Sequence, residues 1–489
     1  MAHSHLSEIY RPGFGLLTDL YELTMAAGYY HAKLHERRAI FHLFYRTAPF
    51  GGRFALAAGL PLAIDLIENF RFSADDVQYL GRLTGSDGSP LFREPFLNYL
   101  QRMKWTGSVD AVPEGEIVLP HEPLLRIEGP LLQVQLLETA LLTVMNFSTL
   151  IATKAARIKA AAGDDPVLEF GLRRAQGIDG GLTASRSAYL GGCDATSNVW
   201  AGRYYGIPVK GTHAHSWVMV FPDELTAFEA YAAALPANCI FLVDTYDSLE
   251  GTRNAIRVGR ALRERGHEMN GIRLDSGDLG ALSIEARKLL DEAGFPDAQI
   301  VASDSLDEYA IRDLKAKGAK IGIWGIGTRL ATAHDQPALG GVYKLSAVQD
   351  ASGNWQSRVK ASETAAKSSN PGKLAVRRYH LEDRPVASQL YDALAGPPSQ
   401  TVTDAADQTH TLAGDTTELL HPVYRDGTLV HEALDLPGTR DRALKNWQLW
   451  TALDWNDFHY GLSPELLAEK EDLLKKMEVL GPEDERGQF

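Results

Sequence analysis

Apolar residues in this chain gather into short runs that end abruptly in charge, hydroxyl or glycine. Val167-Leu168 leads into Glu169-Phe170-Gly171, the run from Cys239 to Val243 into Asp244-Thr245, and Gly271-Ile272-Arg273-Leu274 into Asp275-Ser276-Gly277-Asp278. Ile300-Val301-Ala302 leads into Ser303-Asp304, and the run from Lys320 to Trp324 into Gly325-Ile326-Gly327-Thr328. A further run, Ile207-Pro208-Val209, precedes Gly211-Thr212-His213-Ala214-His215-Ser216. Between the runs, apolar positions recur at helical spacing over 249–265, 282–293 and 309–317. Runs with little polar alternation suit strands buried on both faces, so the pattern predicts a parallel sheet with helical crossovers. The expected fold is α/β, an irregular (β/α) barrel; the same alternation also permits an open doubly wound sheet.

The flanks read differently. Residues 1–130 predict an N-terminal α+β domain, with an amphipathic helix near Leu16 to Tyr29 and a strand over residues 39–44. A long helical pattern from Leu131 to about Ala162 leads into the barrel domain, set at 131–350. Residues 351–489 form a C-terminal extension, expected to pack on the N-terminal domain and barrel. Within it Arg425-Asp426-Gly427 reads as the turn of a hairpin, and 384–415, rich in Pro, Ser, Gly and Asp, as a mobile loop. Residues 1–5 carry no assigned function.

Composition narrows the class. The chain has 489 residues, 45% apolar and 23% charged, which suits a folded protein of more than one domain. A formal charge of −14 argues against nucleic acid or an anionic membrane as partner, although a local Arg/Lys cluster can still hold an anionic substrate. Two cysteines, Cys193 and Cys239, give no disulfide framework, and no apolar run approaches membrane-spanning length, so a cytoplasmic protein is expected.

Polar groups at the carboxyl ends of parallel strands point into the crevice where such folds keep their chemistry, which makes the strand endings the candidate site. Among them the segment 211–216 offers a hydroxyl, two imidazoles and a glycine. A His-x-His pair suggests a metal site, but a binuclear barrel hydrolase needs further histidines at later strand ends, and Asp244, Asp275 and Asp304 are accompanied by none. Gly325-Ile326-Gly327-Thr328, after a late strand and before a short helical stretch, occupies the usual place of a phosphate cradle. Asp275 and Asp278 offer hard oxygens of the kind Mg²⁺ takes, while Ser276 and Asp278 equally suit a helix cap.

Leu17-Thr18-Asp19-Leu20-Tyr21-Glu22-Leu23-Thr24-Met25, Glu169-Phe170-Gly171-Leu172-Arg173-Arg174-Ala175, Gly211 to Ser216, Arg273-Leu274-Asp275-Ser276-Gly277-Asp278-Leu279, Gly325 to Thr328 and Gly340-Gly341-Val342-Tyr343-Lys344-Leu345 resemble, in order and spacing, the motifs of the nicotinate phosphoribosyltransferase family. The resemblance implies a barrel of the type II phosphoribosyltransferase kind and a homodimer with shared active sites. The implied reaction serves NAD biosynthesis: nicotinate and 5-phosphoribosyl 1-diphosphate give nicotinate mononucleotide and diphosphate, with Mg²⁺ and with ATP hydrolysed through a phosphohistidine. It implies that Phe170 and Tyr21 stack on the pyridine, Tyr21 coming from the neighbouring subunit, and that Thr212 and Arg273 contact its carboxylate. Tyr21 is also explained by core packing, since Leu17 and Met25 share its helical face. His215 is the implied phosphorylation site, and His213 stands where relatives commonly carry an apolar residue. Gly325, Gly327 and Thr328 would hold the 5′-phosphate, and Asp275 and Asp278 would act on the ribose or the metal. Arg173 and Arg174, and Lys344 from a later strand, are candidate landing sites for phosphate, with a structural ion pair as the alternative. Ser197 falls where the sister family acting on nicotinamide carries an aspartate, which favours the acid as substrate, with Asp194 nearby. Quinolinate or nicotinamide transfer, a metal-dependent barrel hydrolase and a non-catalytic scaffold are the alternatives.

Overall fold

In the computed structural model, residues 13–361, 368–432 and 434–479 are described; residues 1–5 lie outside them. The chain divides into two compact units. The first comprises 1–147, 339–435 and 445–489, and the second 148–338 and 436–444. The stretch from 351 onward, expected as one extension, is thus shared between them.

The apolar runs of the second unit form six parallel strands, numbered here in chain order: β1 (Val167–Glu169), β2 (Ala195–Thr196), β3 (Ile240–Leu242), β4 (Gly271–Leu274), β5 (Gln299–Ala302) and β6 (Ile323–Ile326). Their spatial order is β2-β1-β6-β5-β4-β3. The last strand pairs with the first, Trp324 opposite Val167, which makes the order cyclic. Cyclic order is the topology of a barrel and not of an open doubly wound sheet, and it leaves one gap, between β2 and β3. The run Ile207-Pro208-Val209, expected as a strand, lies beside β2 as a single bridge from Val209 to Thr196. Thr196 N–H donates to Pro208 O and Lys210 N–H to Thr196 O, both at 3.0 Å. Pro208 has no N–H to extend the ladder.

Five of the helices between the strands start where an Asx side chain caps them. Asn198, Asp223, Asp247, Asp278 and Asp307 each accept from backbone N–H groups of the following turn, opening Val199–Tyr205, Glu224–Ala234, Ser248–Glu264, Leu279–Glu292 and Glu308–Ala316. The final strand runs Ile323–Ile326, later in the chain than the apolar run from Lys320 to Trp324 predicts, because Gly325 and Ile326 belong to it. Gly325 is forced: a Cβ there would fall 2.8 Å from the Phe170 ring.

The first unit is built mainly on antiparallel pairing, with Arg384–Asp392 and His459–Leu462 parallel. A seven-stranded sheet takes in Arg38–Tyr45, Leu125–Pro130, Ser108–Ala111, Gly341–Gln349 and the 421–429 hairpin, where Tyr424 faces Leu429. A six-stranded sheet holds Leu374–Leu381, Arg384–Asp392, Thr401–Thr403, Thr409–Thr411, Asp415–Glu418 and His459–Leu462. The segment 384–415 is therefore built into this sheet and is not one long loop: Ala387, Val402 and Leu412 bury against Tyr379, and that apolar set outweighs the surrounding turn-forming residues. The first helix runs Leu20–His31, after a short 3₁₀ turn at Phe14–Leu16. The helical pattern from 131 to 162 is two helices, Leu131–Leu136 and Glu138–Ala162, broken at Leu137. Deep in this unit Arg378 donates to Glu122 Oε2 (2.8 Å), Ile117 O (2.6 Å) and Ser388 Oγ (3.3 Å), while Ser388 donates to the other Glu122 oxygen. Among the described residues no helix is long and apolar enough to cross a membrane.

Candidate active site

Every strand of the barrel delivers a polar group at its carboxyl end, and Arg273 joins two of them, Asp275 and Ser303, to Thr212. Its Nη1 donates to Thr212 Oγ1 (3.0 Å), Nε to Ser303 Oγ (2.7 Å) and Nη2 to Asp275 Oδ1 (2.9 Å). The guanidinium carbon lies 5.6 Å from the centre of the Phe170 ring. Ser303 in turn donates to Asp275 Oδ1. Burial opposes charge on Asp275, but the Ser303 hydroxyl and the Arg273 guanidinium hold its carboxyl below the usual carboxylate range.

The next carboxylate inward is Asp244, after β3. Its Oδ2 accepts from Asp275 N–H (3.0 Å) and Ser276 Oγ (2.6 Å), while Oδ1 is buried with no hydrogen-bond partner among the described residues. His215 faces both acids, with Nε2 3.7 Å from Asp275 Oδ2 and 4.0 Å from Asp244 Oδ1, and Nδ1 3.2 Å from Thr245 Oγ1. Its side chain is 40% exposed. His213, two residues earlier, is turned into the wall: it is 7% exposed, and Nε2 accepts the Leu242 N–H at 3.2 Å.

Two cavities share this floor. One, of about 390 Å³, is lined by Phe170, Ser197, Thr212, His215, Arg273 and Asp275 among others. The other, of about 270 Å³, is lined by Arg173, Arg174, Ser303, Ser305, Gly327 and Thr328 together with Phe170 and Arg273. Phe170 is held from behind by Glu169, a buried carboxylate that accepts from Ser185 Oγ (2.8 Å), Thr196 Oγ1 (2.6 Å) and Gly171 N–H. The first cavity has the shape and polarity for a flat anion over an aromatic face, and the second gathers cations and hydroxyls suited to phosphate.

Family models agree with this geometry. That of the nicotinate phosphoribosyltransferase N-terminal domain matches residues 16–146, and that of the nicotinate phosphoribosyltransferase family matches residues 167–395. The chain belongs to the nicotinate phosphoribosyltransferase family. It is 49% identical over 384 residues to a nicotinate phosphoribosyltransferase of Bacillus subtilis, covering 77% of this chain and 76% of that one. It is 41% identical over 434 residues to the human enzyme of that name, covering 78% and 79%. The crystal structure of human nicotinic acid phosphoribosyltransferase superposes with a TM-score of 0.81 at 34% identity, over 93% of this chain and 99% of that chain. A nicotinate-nucleotide pyrophosphorylase from Pyrococcus furiosus shares the fold, with a TM-score of 0.69 at 22% identity, over 93% of this chain and 99% of that chain.

Most residues singled out from this family's motifs meet at the two cavities: Phe170, Arg173, Ser197, Thr212, His215, Arg273, Asp275, Gly325, Gly327 and Thr328. Asp278 does not line them; its Oδ1 caps the following helix by accepting the Ala281 N–H at 3.1 Å. Tyr21 belongs to the first unit, where it is 48% exposed and donates to Glu138 Oε1 at 3.3 Å. Asp194, the acid near Ser197, is neutralised by Lys159 (3.2 Å) and Arg440 (2.8 Å). The roles of Asp244, Thr245, Ser303 and Glu169 are visible only in the structure. Their position at strand ends is a signal, but nothing in the sequence says that Asp244 keeps an oxygen free or that Ser303 bridges Arg273 to Asp275.

Proposed function

We propose that this chain joins nicotinate to 5-phosphoribosyl 1-diphosphate, forming nicotinate mononucleotide and diphosphate, and that ATP drives the reaction through phosphorylation of His215. The observation that carries the reading is Arg273, whose one guanidinium serves Phe170, Thr212, Ser303 and Asp275 on the floor of both cavities. A pyridine carboxylate would take Arg273 and Thr212 while its ring lies on Phe170, leaving the ring nitrogen to attack the ribose C1 as diphosphate departs. Ser197 adds no negative charge beside that carboxylate, which supports the acid over the amide. Arg173, Arg174 and Thr328 suit the 5′-phosphate and diphosphate.

Phosphorylation needs an imidazole nitrogen with a free lone pair. Nδ1–H donating to Thr245 Oγ1 would direct the Nε2 lone pair at the γ-phosphorus; the N–P bond forms as the bond to ADP breaks, and water later cleaves it. Mg²⁺ fits the donor set, because the partnerless Asp244 oxygen and the Asp275 carboxylate are hard oxygen donors, and a bound ion would supply neutralisation of phosphate charge. Tyr21 would enter the site from a second copy of the chain. A reducing cytoplasm suits the buried, free Cys193 and Cys239 thiols.

The test is mononucleotide formation from nicotinate and from nicotinamide, each with 5-phosphoribosyl 1-diphosphate and Mg²⁺, with and without ATP, for the wild type and His215→Ala. Nicotinate turnover stimulated by ATP in the wild type only is the expected result. No product from either base refutes the transferase reading, and equal stimulation in His215→Ala refutes the phosphohistidine. Mixing Tyr21→Ala with His215→Ala protein should restore activity if the sites are shared.

A further inference from the structure

The barrel lacks a strand between β2 and β3, yet backbone groups that face such a gap must be satisfied. On the β2 side the segment after Tyr205 does this with its own backbone, through Pro208 O and Lys210 N–H. On the β3 side the free edge at Leu242 has no strand partner among the described residues, where β3 pairs with β4. The Leu242 N–H there finds the ring of His213. We propose that His213 is a positioning residue whose imidazole takes the place of the missing strand carbonyl, closing the barrel and thereby fixing Thr212 and His215 on either side of it.

Three observations support this. Nε2 can accept only if the ring proton sits on Nδ1, and Nδ1 faces Ala214 O at 3.4 Å, so one tautomer serves both contacts. The ring is clamped in the wall by Tyr231, at 5.0 Å in an edge contact, and by Phe228 at 5.8 Å. Burial, with the Arg273 guanidinium adding to it and the Ala214 carbonyl opposing it, pushes the imidazole down to about 4, so the acceptor lone pair persists across the physiological range. The same device recurs in the first unit, where fully buried His42 accepts the Leu374 N–H on Nε2 at 3.2 Å. The pair of histidines in the motif thus divides its work: His213 holds the wall and His215 faces the cavity.

The inference rests on the roles given to Thr212 and His215 above, so its test includes readouts that need no turnover. The substrate-free protein, His213→Leu and His213→Gln are compared by hydrogen exchange at the Leu242 amide, by ¹⁵N shifts of the His213 ring at pH 7 in the wild type, and by kcat and KM for nicotinate with ATP. Leu removes the acceptor, whereas Gln keeps one in Oε1. A lost hydrogen bond of ordinary strength predicts about tenfold faster Leu242 exchange and about tenfold lower kcat in His213→Leu, with both largely restored in His213→Gln. Melting temperatures separate this from global unfolding. A wild-type ring that is charged or carries its proton on Nε2 overturns the proposal, as does a Leu variant that keeps full kcat, or a Gln variant no better than Leu. A wild type that makes no mononucleotide refutes the function assigned above, and the exchange and tautomer results then still decide whether His213 closes the wall.

Discussion

Arg378 in the first unit and Arg273 in the second each hold a carboxylate among hydroxyls, and the difference between their surroundings separates a structural ion pair from a working site. Arg378 is 4% exposed and Glu122 is fully buried; both carboxylate oxygens are used, by Arg378, Ser388 and the Leu119 N–H. Neither oxygen of that carboxylate is left over for a ligand. Around Arg273 the network is unfinished: Asp244 Oδ1 has no partner among the described residues, His215 Nε2 stands 3.7–4.0 Å from two acids, and both cavities open onto it. A folded protein tolerates unmet polar capacity where a substrate or ion will later meet it.

The largest effect should come from breaking the closed network. Arg378→Leu strands the buried Glu122 carboxylate and should cost about 3–5 kcal/mol in urea unfolding, while turnover per folded molecule stays near wild type. Adding Glu122→Leu should recover much of the loss. A single substitution costing less than about 1 kcal/mol would show that the pair is not desolvated. At the open network the expectation reverses. Arg273→Lys keeps the charge but loses the planar fork that reaches three partners at once, so kcat/KM for nicotinate should fall about 100-fold, with an unfolding change below about 1 kcal/mol. A large stability loss with normal kinetics would make Arg273 another Arg378.

Much of the open site was legible because strand endings are short-range signals: an apolar run followed by Asp-Ser-Gly-Asp or Gly-Ile-Gly-Thr needs no tertiary information to stand out. The barrel order was harder, since alternation of strand and helix does not say that β6 returns to β1. Pro208 misled in one direction, turning an apolar run into a single bridge, and the turn-forming residues of 384–415 in the other, hiding strands whose buried positions are Ala387, Val402 and Leu412. The closed network was invisible. Glu122, Arg378 and Ser388 are separated by up to 266 residues, and no local pattern joins them.

The first unit has an unfinished network of its own, beside Tyr21, which sharpens the comparison. Glu22 is fully buried, with Oε1 lacking a hydrogen-bond partner among the described residues and Oε2 sharing the Gln135 amide with Glu138, at 2.8 and 3.2 Å. Burial, with Glu138 close by, pushes the Glu22 carboxyl up to about 7. The folded state then keeps a proton that the unfolded chain has already released above the ordinary carboxylate value, so stability falls as pH rises between that value and about 7. Glu22→Gln should remove this loss, raising stability at pH 8 relative to pH 5 by on the order of 2 kcal/mol against the wild type in parallel thermal melts. Equal pH dependence in the two proteins would mean that the buried acid stays ionised.

The smallest effect tests whether the open network behaves as a set of replaceable contacts. Ser303 accepts from Arg273 and donates to Asp275, so Ser303→Ala removes a partner from each at once. Because the site faces a cavity, water can take up both vacancies, and the cost should be that of one ordinary hydrogen bond, about 1 kcal/mol or about fivefold in kcat/KM. The pH profile carries the sharper signature. Ser303 is the foremost of the groups that hold the Asp275 carboxyl down against burial, so without it the carboxyl must titrate higher. Where Asp275 ionisation supports turnover, activity is lost as pH falls through that folded-state value, and the acid limb should move to higher pH in Ser303→Ala. An unmoved acid limb with the same fivefold loss, about 1 kcal/mol, would mean that Ser303 acts by placing Arg273 and that Arg273 and His215 govern Asp275 without it.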